Sequence, residues 1–182
     1  SRFSDLAKFI TLEGLEGAGK STCIAYVCEL LDDAGISYVL TREPGGTEVA
    51  EQLRELLLQE QQETIVPMSE LLLMFAGRAQ HIEHVIKPAI ARNQWVVCDR
   101  FTDATYAYQG AGRGLGKENV ETLETMVQGE LRPDKTIILD VSFEVGMARV
   151  EGRGDKDRFE RSPRRFLTQS GMLIYLERVL IH

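Results

Sequence analysis

EGLEGAGKST, residues 13–22, places three glycines ahead of a lysine and two hydroxyls. Gly14, Gly19, Lys20 and Ser21 satisfy G-x-x-x-x-G-K-[ST], between a β-rich stretch, KFITLE (8–13), and a helical pattern over 20–34. Strand, glycine loop and helix in that order form a phosphate cradle. Glycines let backbone N–H groups turn toward an anion, and the helix N-terminus adds a favourable dipole. Gly14, Leu15, Glu16, Gly17, Ala18, Gly19, Lys20, Ser21 and Thr22 are therefore the candidate triphosphate contacts. Lys20 reaches the outer phosphates and the Ser21 hydroxyl is placed for Mg²⁺. Glu13 and Glu16 stand out as acids beside an anion site.

Working outward, SYVLTR (37–42), WVVCD (95–99) and KTIILDV (135–141) are short apolar runs that read, with KFITLE, as buried parallel strands. Helical patterns over 20–34, 47–59, 69–92, 117–129 and 143–151 separate them. Alternation of this kind predicts an α/β sandwich with right-handed crossovers. Asp99 ends an apolar strand, so its carboxylate is expected at the carboxyl edge of the sheet, where open α/β sheets bind ligands. It is the second candidate metal contact, directly or through water.

At 182 residues and 43% hydrophobic composition the chain reads as a single domain, 1–182. It shows no signal-peptide pattern and no run near the roughly 20 apolar residues of a membrane span, so a soluble cytoplasmic protein is expected. Cys23, Cys28 and Cys98 contain no C-x-x-C, which argues against a disulfide framework or structural zinc. A net charge of -7 argues against non-specific nucleic-acid binding. The cations are fifteen Arg against six Lys. Arg presents a planar fork of donors that matches phosphate, so a few placed arginines make an anion pocket on an acidic protein.

No N-K-x-D sequence of a GTPase is present, whereas Arg42, Arg100 and the group Arg149, Arg153 and Arg158 fall near strand ends or in a charge-dense segment. So many forks suggest two phosphorylated ligands facing each other; the late arginines read equally as a solvated charge run. In the 69–92 helix Leu71, Leu72, Phe75, Ala79, Ile82, Ile86 and Ile90 mark the buried face, with Arg78 on its edge. Periodicity favours an arginine lying along the surface over a ligand contact. His81 and His84 read as ordinary helix-face residues, since no third ligand stands at a metal-binding spacing.

TREPGG (41–46), DRF (99–101), AYQGAGRG (107–114) and RPD (132–134), together with EGLEGAGKS, resemble the bacterial thymidylate kinase family from about Phe9 to Glu160. The resemblance implies a three-layer P-loop kinase fold, with a five-stranded parallel sheet flanked by helices and a short lid over about 149–161. It implies transfer of a phosphoryl group from ATP to dTMP, giving dTDP for dTTP synthesis, with Mg²⁺, in a homodimer. It assigns Arg42 and Arg100 to the dTMP phosphate and Arg78 to the thymine ring, against the bland reading above. Phe75 or its neighbour Met74 would pack on the base, with Thr105 and Gln109 near it and Tyr108 under the deoxyribose. Glu16 would face the acceptor and accept from the sugar 3′-hydroxyl. Glu13 is left as a partner for a nearby arginine or a buried, paired acid.

Members of the family carry an arginine either in the phosphate loop or in the lid; Leu15 to Ala18 include none, so the resemblance implies that charge on the transferring phosphoryl is met from GRGDKDR (152–158). Arg153 is assigned that catalytic role beside Lys20 and Arg100, with Arg158 second and Arg149 toward ATP. The final strand of the family's sheet is expected near RVLIH (178–182).

Overall fold

A computed structural model describes residues 9–15 and 17–139. Strands β1 (Phe9–Gly14), β2 (Tyr38–Arg42), β3 (Trp95–Asp99) and β4 (Lys135–Leu139) form one parallel sheet in the order β2-β3-β1-β4. The described sheet thus has four strands where five were expected. The expected fifth strand, the helix over 143–151 and the lid lie outside the described residues.

Alternation along the strands explains the two cores. Phe9, Val96 and Cys98 point to one face, where they pack with Ile82, Ile86, Ala89 and Phe101. Leu12 and Val97 point to the other and meet Ile24 and Leu31 of helix α1 (Lys20–Asp33). A sheet apolar on both faces must be covered on both, which gives the layered architecture.

The expected 69–92 helix is α3 (Pro67–His81), a π-helical turn (Ile82–Ile86) and α4 (Lys87–Ala91) in direct succession. Pro88 explains the widened turn, because its ring would clash with the carbonyl four residues back, at His84. The Lys87 N–H instead reaches back five residues, to Ile82 O. Helix α2 (Glu48–Leu58) begins with the Thr47 hydroxyl accepting from Ala50 N–H at 3.1 Å, and Glu48 and Glu51 occupy its first turn. It packs on α3 where small residues face each other, since a Cβ at Gly77 would lie 3.8 Å from that of Ala50.

After β3 come α5 (Thr102–Thr105) and a π-helical stretch, Tyr106–Gly112, then α6 (Lys117–Gln128). Leu71, Phe75, Tyr106 and Val120 make a third cluster that ties α3 to these elements. The RPD motif sets the register of β4, because the Asp134 carboxylate accepts from Phe9 N–H at 2.7 Å while the Asp134 N–H donates to Phe9 O at 2.7 Å. No helix among the described residues is long and apolar enough to cross a membrane.

Candidate active site

Strand register gathers the site. Leu12 and Arg42 both stand opposite Asp99, so the ends of β1, β2 and β3 lie side by side at the carboxyl edge. Gly14 passes so close to β4 that a Cβ there would sit 2.9 Å from Leu139 O. Gly19 closes the loop at φ 88, a left-handed conformation that starts α1 without a side-chain cap. The Lys20 ammonium then reaches across β1 and donates to Asp99 Oδ1 at 2.6 Å.

Arg42 Nη2 donates to Glu51 Oε2 at 2.7 Å, and the other oxygen of that carboxylate accepts from Gly46 N–H at 2.9 Å. These contacts hold the Glu51 pKa low, the Gly46 N–H first and Arg42 after it. Arg54 Nη1 donates to Pro44 O at 2.9 Å beside the same cleft. Arg100 has φ 66, a conformation that costs a non-glycine residue about 1–2 kcal/mol. Its backbone is fixed at both ends: the N–H donates to Leu12 O at 2.9 Å, and the carbonyl accepts from the Cys98 thiol at 3.0 Å. Its guanidinium lies 5.6 Å from the centre of the Tyr108 ring. Strain held by surrounding contacts is characteristic of ligand-binding positions.

Arg78 is completely buried. Its Nε donates to Glu43 Oε2 at 2.7 Å and its Nη2 to the Thr105 hydroxyl at 2.9 Å, while its plane is packed between Phe75 and Phe101 at 4.8 and 5.0 Å. Nη1 is buried with no hydrogen-bond partner among the described residues. The other Glu43 oxygen meets His81 Nδ1 at 2.8 Å, and His81 Nε2 meets the Thr41 hydroxyl at 2.6 Å. A neutral imidazole satisfies this chain, donating from Nδ1 to the carboxylate and accepting from Thr41 at Nε2. Gly46 makes room for it, since a Cβ there would lie 2.5 Å from His81 Cδ2.

Gln109 is held in a parallel way. Its Nε2 donates to Glu70 Oε1 at 2.9 Å, and Arg113 donates to both oxygens of Glu70, from Nε at 3.2 Å and from Nη2 at 3.3 Å. Gln109 Oε1 is buried without a hydrogen-bond partner among the described residues. Glu13 accepts from Phe101 N–H at 2.8 Å, and burial first, with Asp103 adding to it, raises its pKa to about 8. Burial likewise pushes the Cys98 thiol well above its usual range.

Lys20, Arg42, Asp99, Arg100, Tyr108 and Gln109 line a single cleft, together with Met74, Arg54 and Phe101. Of the two candidates for packing on a base, Met74 lines it and Phe75 belongs to the α3 core cluster. Arg78 and Thr105 are buried beside the lining, joined to each other. Ser21 and Thr22 are exposed at the start of α1. Glu16, Arg149, Arg153 and Arg158 lie outside the described residues.

Glu43, Arg54, Glu70, His81 and Arg113 were not singled out from the sequence as site residues. The available signal was spacing: Glu70, Met74, Arg78 and His81 recur at helical steps along one side of α3. No group of three or more His, Cys, Asp or Glu able to hold a metal occurs among the described residues. The donors at hand, the Ser21 hydroxyl and the Asp99 carboxylate, are hard oxygens. They fit Mg²⁺, which keeps its waters and takes one or two protein oxygens alongside phosphates.

A family model described as thymidylate kinase matches residues 12–177. The thymidylate kinase of Pseudomonas fluorescens (strain Pf0-1) is 60% identical over 158 residues, covering 87% of this chain and 75% of that protein. That of Ectopseudomonas mendocina (strain ymp) is 56% identical, covering 94% of this chain and 81% of its own. The crystal structure of thymidylate kinase from Ehrlichia chaffeensis superposes with a TM-score of 0.74 at 34% identity, over 95% of this chain and 88% of that one.

Proposed function

The chain belongs to the thymidylate kinase family, and from that premise we propose that its cleft holds dTMP and ATP end to end, their mutual repulsion offset by Lys20, by arginines and by a magnesium ion. The reaction is phosphorylation of dTMP to dTDP. The observation that carries the site assignment is the register that sets Arg42, Asp99 and the glycine loop side by side, with Lys20 2.6 Å from Asp99.

Phosphoryl transfer rests on positioning and charge neutralisation. The loop from Gly14 to Gly19 turns backbone N–H groups to the ATP phosphates, with Thr22 beside it in the first turn of α1. Lys20 shifts its ammonium from Asp99 toward the outer phosphates. Ser21 and Asp99 would hold Mg²⁺, which would draw charge from the phosphate oxygens. Arg42 and Arg100 grip the acceptor phosphate with their planar forks, Arg100 being aimed by its fixed backbone and by Tyr108.

At the other end, Arg78 and Gln109 supply a donor and an acceptor without a hydrogen-bond partner among the described residues. Thymine offers carbonyl oxygens and an N3–H, so the pair is complementary to its edge. Thr105 acts through Arg78, Met74 in preference to Phe75 packs on the ring, and Tyr108 lies under the deoxyribose. Glu16 takes the 3′-hydroxyl, Arg149 contacts ATP, and Arg153 meets the charge on the transferring phosphoryl as the lid excludes water. The test is direct: purified protein with Mg²⁺ and ATP is expected to turn dTMP into dTDP, and chelation is expected to stop it. No diphosphate under saturating nucleotides would overturn the assignment.

A further inference from the structure

We propose that Glu70 is a positioning residue for base recognition, holding the Gln109 amide by its NH₂ end so that its carbonyl end is committed to the pyrimidine. The inference rests on the reading of the cleft as the dTMP site.

An amide side chain is symmetric in shape and opposite in chemistry at its two ends, so something must decide which end faces the ligand. Here Glu70, fully buried on α3, accepts from Gln109 Nε2 at 2.9 Å. Arg113 places a donor on each oxygen of the same carboxylate, at 3.2 and 3.3 Å. Flanked in this way the carboxylate serves as an acceptor, and Gln109 can meet it favourably only with its NH₂ group. Oε1 is then left buried, without a hydrogen-bond partner among the described residues, on a side chain that lines the cleft.

Thymine has one hydrogen-bond donor on its ring, N3–H, so an acceptor committed to the base pocket has a single matching atom. If the amide turned over, NH₂ would confront N3–H, donor against donor. Glu70 thereby acts on selectivity without touching the substrate.

The experiment compares kcat/KM for dTMP and for 3-deaza-dTMP, in which C–H replaces N3–H and C4 carries a hydroxyl, using the whole chain with Mg²⁺ and ATP. Wild type is expected to prefer dTMP by about 100-fold or more, since the analogue strands a buried acceptor. Glu70→Gln removes the fixed polarity at nearly constant volume, and the preference is expected to fall at least about tenfold, through KM more than kcat. Glu70→Asp, which withdraws the carboxylate while keeping a partner for Arg113, is expected to move the ratio in the same direction and covers the case in which the first variant folds poorly. In a Gln109→Ala background Glu70→Gln is expected to leave the ratio unchanged, because its effect passes through the amide. Wild-type turnover of dTMP with the same ratio in both Glu70 variants overturns the inference alone. No dTMP turnover by wild type overturns the site assignment, and this inference with it.

Discussion

His81 Nδ1 lies 2.8 Å from Glu43 Oε1, and the second oxygen of that carboxylate fixes Arg78 Nε at 2.7 Å. A histidine with no place in the lining of the cleft therefore helps set the direction of a buried guanidinium. Truncation at Glu43 leaves Arg78 as an uncompensated buried charge. Glu43→Ala is expected to lower stability by about 3–5 kcal/mol in urea unfolding. His81→Ala is expected to cost less, about 1–3 kcal/mol, and to raise KM for dTMP while kcat changes little.

Gly46 has φ 94, and an added Cβ would meet His81 Nε2 at 2.7 Å and the Thr41 hydroxyl at 2.8 Å. Gly46→Ala is expected to break the Thr41–His81 contact and destabilise the protein by about 1–3 kcal/mol. Its KM effect should resemble that of His81→Ala. A variant of wild-type stability and KM would show that the turn relaxes freely.

Lys20→Ala removes the ammonium that pairs with Asp99 at 2.6 Å. Loss of a preorganised charge at the phosphates is expected to lower kcat by about 10²–10³, with the KM for dTMP nearly constant. Asp99→Asn is expected to raise the Mg²⁺ concentration needed for half-maximal rate. Magnesium titrations of the two variants separate these roles.

Glu13 has its pKa raised to about 8 from 4.5, chiefly by burial, with Asp103 adding to the rise and Phe101 N–H, Arg100 and Arg78 opposing it. Between those two values the native state binds more protons at this site than the unfolded chain, so its contribution to stability falls as pH rises. The contribution is fully present below 4.5 and is lost through about pH 8. Wild type is expected to lose thermal stability from pH 5.5 to 8.5, whereas Glu13→Gln, which can still accept from Phe101 N–H, flattens that slope. Parallel slopes for the two proteins would refute the assignment.

Under the role proposed for it, Arg153→Ala is expected to lower kcat by orders of magnitude with little change in dTMP affinity. An unchanged kcat would move the role to a neighbouring arginine.

The glycine loop and four strands were legible because each combines a local pattern with an apolar run, and their expected positions lie within one or two residues of those observed. The helical stretch over residues 102–112 was read only as motifs. Its Thr, Asp, Tyr and Gly content has weak helix propensity, and a π-helical path breaks the three- and four-residue rhythm that announces a helix. Arg78 sat on the edge of an apolar face by periodicity yet is buried, because its carboxylate stands 35 residues earlier in the chain. His81 looked like an ordinary helix-face residue for the same reason, its partner lying 38 residues away. Spacing within one helix carries no information about a group brought to it by the TREPGG turn.

Helix α3 carries Glu70, Met74, Arg78 and His81, so the Arg78 donor and the Met74 packing contact assigned to the nucleobase hang from one rod, which also steers the Gln109 acceptor through Glu70. A sideways slide or roll of that rod, imposed by a substitution on its remote face, displaces every one of these contacts by the same step. Accommodating an altered heterocycle is accordingly a concerted problem: an exchange at one tip, such as Glu70, loosens one contact, whereas drift toward a new base must recalibrate the shaft as a unit.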